Sequence, residues 1–103
     1  MADLTQSQWS DQLENDDNAV ILDVRTEIEI EEGYIPGAIG MDIHYGAEFI
    51  QRAKQLDATK NYYVYCRSGG RSSQACMLLN SLGIQNTYNL LGGFSDWEGE
   101  TTL

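Results

Sequence analysis

The chain has 103 residues, of which 16 are acidic and 6 are basic, so its formal net charge is -10. This length is typical of one small domain, and hydrophobic residues make up 42% of the chain, so we expect residues 1–103 to form a single domain around a buried core. The acidic excess disfavours binding to nucleic acid or to anionic lipid, because both partners require a basic surface.

The sequence predicts neither a secretion signal nor a membrane span. The N-terminal segment lacks a basic leader followed by an apolar stretch, and no apolar run approaches the length that crosses a bilayer. The two cysteines, Cys66 and Cys76, are too few for a disulfide scaffold. We therefore expect a soluble, cytoplasmic protein whose thiols are free.

The first segment predicts a helix followed by a buried strand. Thr5 and Gln8 have the spacing of a capping box, which predicts a helix from about Gln6 to Leu13. The apolar run Ala19–Leu22 is continuous rather than alternating, as expected of a strand that is covered on both faces. Residues 23–25 follow at the carboxyl end of this strand.

The next segment is ambiguous, and we favour a short helix over a strand. Its residues alternate in polarity, yet Thr26 with Glu29 forms a second capping box and Gly33 suits a helix end. Four glutamates of this segment are expected to form a solvated face, with docking of a partner as the alternative: Glu27, Glu29, Glu31 and Glu32. Residues 34–39 predict a turn that leads into an extended segment.

The second half predicts helices that alternate with strands. A third helix is indicated by apolar residues at helical spacing, namely Tyr45, Phe49, Ala53 and Leu56. Residues 62–65 are strand formers, and a helix from Ser72 to Gly83 follows the next loop. A strand over 86–90 and a short helical segment over 92–97 complete the chain. This alternation predicts an α/β fold with a mostly parallel sheet covered by helices.

The loop between the strand at 62–65 and the helix at Ser72 carries the residues suited to chemistry. Cys66 follows the carboxyl end of the strand, where ligands bind in open α/β sheets. Gly69 and Gly70 let the backbone curl into an anion-binding nest, to which the helix N-terminus adds positive charge. Arg67 and Arg71 are expected to lower the pKa of the thiol further. The pattern predicts a reactive thiolate that faces an anionic substrate.

Other reactive residue types are assigned structural roles. Cys76 lies among apolar residues inside the following helix, which is typical of a core position rather than of a resolving thiol. Two cysteines and the single His44 fall short of a four-ligand zinc set, so no metal site is predicted. Asp23 and Arg25 either support the loop through charge-assisted hydrogen bonds or form a purely structural ion pair.

Four segments resemble the single-domain rhodaneses, the thiosulfate sulfurtransferase family. In chain order these segments are Ile21–Arg25, Glu32–Ala38, Cys66–Ser72 and Asn89–Trp97. The resemblance implies a rhodanese-like, three-layer α/β domain with helices on both faces of a mostly parallel sheet. Tyr34 departs from the family pattern, which usually has histidine at this position.

The resemblance implies a sulfurtransferase that needs no metal or organic cofactor. Cys66 would take a sulfane sulfur from thiosulfate or a persulfide donor, hold it as a persulfide, and pass it to cyanide, a thiol or a protein acceptor. The loop amides would cradle that sulfur, and they belong to Arg67, Ser68, Gly69, Gly70 and Arg71. Arg67 would contact the donor, whereas Arg71 would turn inward and fix the loop, with Asp23 as its candidate partner.

Two rival functions stay open from the sequence. Phosphatases and arsenate reductases of related fold also use a cysteine–arginine loop, but theirs is one residue longer than the four-residue spacing between Cys66 and Arg71. The shorter loop favours sulfur transfer. The second rival is a sulfur carrier or docking module with little thiosulfate turnover, in which the acidic residues 27–32 steer a basic partner. We expect a monomer.

Overall fold

A computed structural model describes residues 1–103 and places five strands in one sheet. The strands are β1 (Ala2–Leu4), β2 (Ala19–Asp23), β3 (Ile39–Gly40), β4 (Asn61–Tyr65) and β5 (Thr87–Leu90). Their order across the sheet is β1-β5-β4-β2-β3, and all four pairings between them are parallel. The predicted α/β class with a parallel sheet is therefore confirmed.

Four α-helices and one 3-10 turn connect the strands. They are α1 (Gln6–Glu14), α2 (Glu27–Glu31), α3 (Gly46–Ala53), α4 (Gly70–Ser81) and the 3-10 turn Phe94–Asp96. Both predicted capping boxes are present, because Thr5 and Thr26 each bond to the third residue of the helix they cap, which bonds back to the cap N–H. None of the helices combines the length and the apolar composition that crossing a bilayer requires.

Two apolar cores lie on opposite faces of the sheet and give the molecule three layers. On one face Leu79 of α4 packs in a cluster that includes Val64 of β4. On the other face Trp9 of α1 packs in a cluster with Tyr63 and Tyr65. Successive residues of a strand point to opposite faces, so the run 62–65 supplies both cores. Helices on both faces of the sheet are thus confirmed.

One strand was not predicted, and two local expectations were wrong. The sequence does not predict β1, because three residues are too few to show a pattern and the strand is defined by its pairing with β5. Tyr45 caps α3 and is 63% exposed, so it does not belong to the buried stripe of that helix. Helix α4 begins at Gly70, two residues before the expected Ser72, because Gly69 turns the chain in a left-handed conformation.

Candidate active site

The thiol of Cys66 lies between the carboxyl end of β4 and the N-terminus of α4. Cys66 directly follows β4, and it is 1% exposed. Gly69 has a φ of +108°, which a side chain would disfavour, and its N–H donates to Cys66 Sγ at 3.1 Å. The structure therefore places Cys66 at the strand end that the sequence predicts and directs the N–H groups of Ser68 and Gly69 at its sulfur atom. It records no such contact for the N–H groups of Arg67, Gly70 and Arg71.

Hydrogen bonds lower the pKa of the Cys66 thiol. Burial alone raises this pKa, but the hydroxyl of Ser72 and the N–H groups of Ser72, Gly69 and Ser68 outweigh burial and leave it below its ordinary value of 9.0. Such donors stabilise the sulfur as an anion. The pKa of Cys66 is therefore lowered, as expected, and the main cause is hydrogen bonding from Ser72 and the loop N–H groups. The charge of Arg71 also interacts with the Cys66 thiolate.

Two buried polar side chains beneath the loop were missed among the predicted site residues. Ser72 Oγ lies 3.3 Å from Cys66 Sγ and also bonds to Asn89 Oδ1. Asn89 Nδ2 in turn donates to Asp3 Oδ1 and to the Gly69 carbonyl oxygen. Ser72 is 0% exposed and Asn89 is 2% exposed. The sequence carries one signal that could have found them: each is a polar residue at a position that faces the core. Burying a polar group without a partner is costly, so such a residue indicates a hydrogen-bond partner nearby.

Arg71 forms a bidentate ion pair with Glu29. Nη1 donates to Oε1 at 2.7 Å and Nη2 donates to Oε2 at 2.9 Å. The predicted partnership of Arg71 with Asp23 is wrong, because Asp23 is paired with Arg25. The solvated role expected of Glu29 is also wrong, since this residue is half-buried and closes the capping box with Thr26.

The Arg71–Glu29 pair predicts a stability contribution that depends on pH. Hydrogen bonding to Arg71 lowers the pKa of Glu29 from 4.5 to about 2. A carboxyl group with a depressed pKa stabilises the folded state above its unfolded pKa, and this contribution is lost as the pH falls from 4.5 towards 2. We expect Glu29→Gln, which keeps the capping box, to lower the free energy of unfolding at neutral pH by about 1 kcal/mol, a value reduced for partial exposure.

Urea titrations of both proteins at neutral pH and at about pH 3 measure this contribution. The difference between wild type and Glu29→Gln should shrink at the lower pH. An equal difference at both pH values would show that the carboxylate charge does not account for the loss.

Asp23 and Arg25 form a buried ion pair at the end of β2. Arg25 Nη2 donates to Asp23 Oδ2 at 2.8 Å and to the Gly33 carbonyl oxygen at 2.7 Å. Neither side chain hydrogen-bonds to the Cys66 loop, so of the two predicted roles the structural ion pair matches these bonds. The Arg25 guanidinium also lies 4.2 Å from the ring centroid of Phe94, whose N–H donates to the Cys66 carbonyl oxygen. Support of the loop by Asp23 and Arg25 stays a prediction.

Arg67 is the cation of the loop that has no ion-pair partner. Its side chain is exposed, whereas Arg71 is engaged by Glu29. Beside Arg67 lies a cavity of about 300 Å³, whose other lining residues are Arg25, Glu29, Glu32, Phe94 and Ser95. The cavity is thus lined by charges of both signs, and Cys66 is not among its lining residues.

The remaining candidates occupy structural positions. Cys76 is 0% exposed, and burial raises the pKa of its thiol to about 11, which keeps that thiol protonated at neutral pH. His44 is exposed and bonds to Asp42 at 2.8 Å. No cluster of three or more histidine, cysteine or carboxylate side chains has the arrangement of a metal site.

Known proteins share both the sequence pattern and the fold. The family model described as a rhodanese-like domain matches residues 5–100. The putative sulfurtransferase YtwF of Bacillus subtilis is 33% identical over 99 residues, which cover 96% of this chain and 92% of that protein. The thiosulfate sulfurtransferase GlpE of Pseudomonas entomophila is 37% identical over 89 residues, covering 82% of this chain and 79% of that protein. A solved structure of a rhodanese-related protein from Thermoplasma volcanium is similar with a TM-score of 0.85 at 26% identity. The superposition covers 100% of this chain and 99% of the Thermoplasma chain.

Proposed function

The chain belongs to the rhodanese-like family, and on that premise we propose that it moves a sulfane sulfur from thiosulfate or a persulfide donor to cyanide or a thiol. Cys66 is the nucleophile and carries the sulfur as a persulfide. The observation that carries this proposal is the hydrogen bonding of Cys66 Sγ, which favours the thiolate although the side chain is buried. The relatives named as sulfurtransferases support the same chemistry.

In the first half-reaction the Cys66 thiolate attacks the outer sulfur of thiosulfate. A bond forms between the cysteine sulfur and this outer sulfur, the sulfur–sulfur bond of thiosulfate breaks, and its electron pair leaves with sulfite. The cysteine sulfur becomes neutral as it forms the new bond, and the outer sulfur carries the negative charge of the persulfide. The N–H group of Gly69, which already donates to the cysteine sulfur, belongs to the cradle that stabilises this charge.

In the second half-reaction the acceptor removes the outer sulfur. Cyanide or a thiolate attacks that sulfur, the persulfide bond breaks, and its electron pair returns to Cys66 as a thiolate. The products are thiocyanate or the persulfide of the acceptor. Each half-reaction is a nucleophilic displacement at sulfur, in which one bond forms and one bond breaks. The proposed cycle therefore uses no metal or organic cofactor.

Intact-mass measurement tests the proposed function. The purified protein is incubated with thiosulfate and should gain about 32 Da, the mass of one sulfur atom. Addition of cyanide should remove this mass and release thiocyanate. A protein that keeps its original mass in thiosulfate would contradict transfer from this donor.

Removal of Arg67 is expected to slow sulfur loading. Arg67→Ala should load sulfur from thiosulfate about tenfold more slowly, because one charge-assisted hydrogen bond to the donor is lost. Its melting temperature should stay unchanged, since the exposed side chain has no ion-pair partner. The measurement is the rate of mass gain at a low thiosulfate concentration.

Arg52→Ala is the control matched in charge, because Arg52 is an exposed arginine on α3 whose hydrogen bond, from Nη1 to the Gly40 carbonyl oxygen, lies outside the loop. It removes the same charge and should load at the wild-type rate. Equal slowing of both variants would assign the effect to net charge and not to a contact with the donor.

A second candidate function is that of a sulfur carrier dedicated to one protein partner. The observation that favours it is the set of exposed carboxylates of Glu27, Glu31 and Glu32, in a chain with a net charge of -10. These groups repel a small anionic donor at a distance and attract a basic protein surface. Negligible loading from free thiosulfate, together with salt-dependent association with a basic acceptor protein, would favour this candidate.

A further inference from the structure

We propose that Asn89 competes with the Cys66 sulfur for the single hydrogen of the Ser72 hydroxyl, and so acts as a positioning residue that restrains formation of the thiolate. The inference rests on the proposed function, because it assigns Asn89 a role toward the sulfur that reacts. Asn89 itself is separated from that sulfur by Ser72.

The Ser72 hydroxyl lies within hydrogen-bond distance of two acceptors, which compete for its single hydrogen. Oγ lies 2.5 Å from Asn89 Oδ1 and 3.3 Å from Cys66 Sγ. A hydroxyl group donates one hydrogen and otherwise accepts through its lone pairs. Cys66, Ser72 and Asn89 are at most 2% exposed, so water does not readily donate a hydrogen bond to the partner that Ser72 leaves without one. Ser72 therefore donates to one of the two partners at a time.

The orientation of the Asn89 amide is fixed from its other side. Nδ2 donates to Asp3 Oδ1 at 2.9 Å and to the Gly69 carbonyl oxygen at 3.3 Å. A carboxylate and a carbonyl group only accept hydrogen bonds, so turning the amide over would break both bonds. Asn89 Oδ1 must therefore face Ser72, and it accepts from the Ser72 hydroxyl.

The bond from the Ser72 hydroxyl to Asn89 Oδ1 favours the neutral thiol. In that state the sulfur carries its own hydrogen and does not need a donor, so the Ser72 hydroxyl is free to donate to Asn89 Oδ1. When the thiol releases its proton to solvent, the sulfur needs a donor and the Ser72 hydroxyl rotates toward it. Asn89 Oδ1 then lacks a donor in a buried position, which is unfavourable. The amide of Asn89 thus opposes the ionisation that the loop N–H groups promote.

A pH titration of the thiolate tests this competition without a sulfur donor. The ultraviolet absorbance of the thiolate is followed in wild type and in Asn89→Leu, with Cys66→Ser as the blank. Leucine keeps the branching of asparagine and removes the Oδ1 acceptor. It also removes the Nδ2 bonds to Asp3 and to the Gly69 carbonyl oxygen, and the Ser72→Ala background controls for their loss. The titration midpoint should move to lower pH, and the thiolate fraction below the wild-type midpoint should rise roughly threefold to tenfold, the change expected from one net hydrogen bond. The pKa of about 11 for Cys76 keeps that thiol out of the titrated range.

Ser72→Ala separates competition from a general structural effect. This variant removes the hydroxyl through which Asn89 acts, so adding Asn89→Leu to it should leave the midpoint unchanged. Circular dichroism verifies the fold of each variant, and Asn89→Ala replaces the leucine variant where the larger side chain is not accepted.

Three results would overturn the proposal: an unchanged midpoint in Asn89→Leu, a midpoint at higher pH, or the same shift in the Ser72→Ala background. The sulfur-loading experiment tests the proposed function separately from the Asn89 assignment. A chain that gains no mass from thiosulfate but shows the predicted titration rejects sulfur transfer from thiosulfate and keeps the Asn89 assignment. Mass gain with an unshifted titration rejects the assignment alone.

Discussion

Cys66→Ser is expected to abolish sulfur loading and to leave the fold intact. A serine hydroxyl is not ionised at neutral pH and forms no persulfide, so no step of the proposed cycle can begin. Serine has nearly the size of cysteine, and the donors around Sγ, including the N–H of Gly69, can bond to its oxygen. Intact mass after incubation with thiosulfate should equal the mass before it, while the thermal unfolding curve stays close to that of wild type.

The same substitution at Cys76 is the matched control. Cys76 lies in the core between α4 and the sheet, and Thr87 provides a hydrogen-bond partner for a hydroxyl at this position. Its thiol has a pKa of about 11 and contributes no thiolate at neutral pH. Cys76→Ser should therefore keep most of the sulfur loading. Loss of loading in both variants would remove the distinction between the two cysteines.

Signals confined to one segment of the chain predicted structure well. Thr5 and Thr26 start α1 and α2 as their capping boxes indicate, because each box satisfies N–H groups within a single turn. The loop at Cys66 was also predictable, since glycine at position 69 permits the left-handed turn that directs an N–H to the sulfur. In these cases the interacting groups are neighbours in sequence.

Interactions between distant segments were not predictable from one sequence. Arg71 and Glu29 are 42 positions apart, and nothing in either segment indicates which of several carboxylates the arginine will reach. Asn89 and Asp3 are 86 positions apart, on β5 and on the β1 strand that the pattern did not show. The order of the strands creates both contacts. The predicted site therefore contained the Cys66 loop but not Ser72 and Asn89, the buried side chains that bond to it.

Gly93→Ala is expected to have the second large effect, because the added methyl group would separate the turn at Phe94–Asp96 from the backbone of the Cys66 loop. Gly93 has a φ of +58° and ψ of -159°, a conformation essentially restricted to glycine. A Cβ atom there would lie 2.5 Å from the Arg67 carbonyl oxygen and 2.6 Å from the Cys66 carbonyl oxygen, and both atoms are backbone. The Phe94 N–H donates to the Cys66 carbonyl oxygen at 2.8 Å, and the Ser95 N–H donates to the Arg67 carbonyl oxygen at 3.0 Å.

Backbone strain and steric overlap together should lower the free energy of unfolding of Gly93→Ala by about 2–6 kcal/mol. This is a large part of the roughly 5–15 kcal/mol that stabilises a domain. Because the Cys66 loop must move to admit the methyl group, sulfur loading should fall more than the folded fraction does. Urea titration and intact-mass measurement on the same samples provide both quantities.

Gly37→Ala separates strain from overlap. Gly37 also has a positive φ, +86°, but a Cβ atom at this position would meet nothing within 4 Å. The free energy of unfolding of this variant should fall only by the cost of a left-handed alanine, about 1–2 kcal/mol. Its folded fraction should load sulfur at the wild-type rate. If Gly93→Ala were no less stable than Gly37→Ala, the contact with the Cys66 loop would have no cost of its own. If Gly93→Ala were unstable but its folded fraction loaded sulfur at the wild-type rate, the 3-10 turn would stabilise the domain without positioning the thiol.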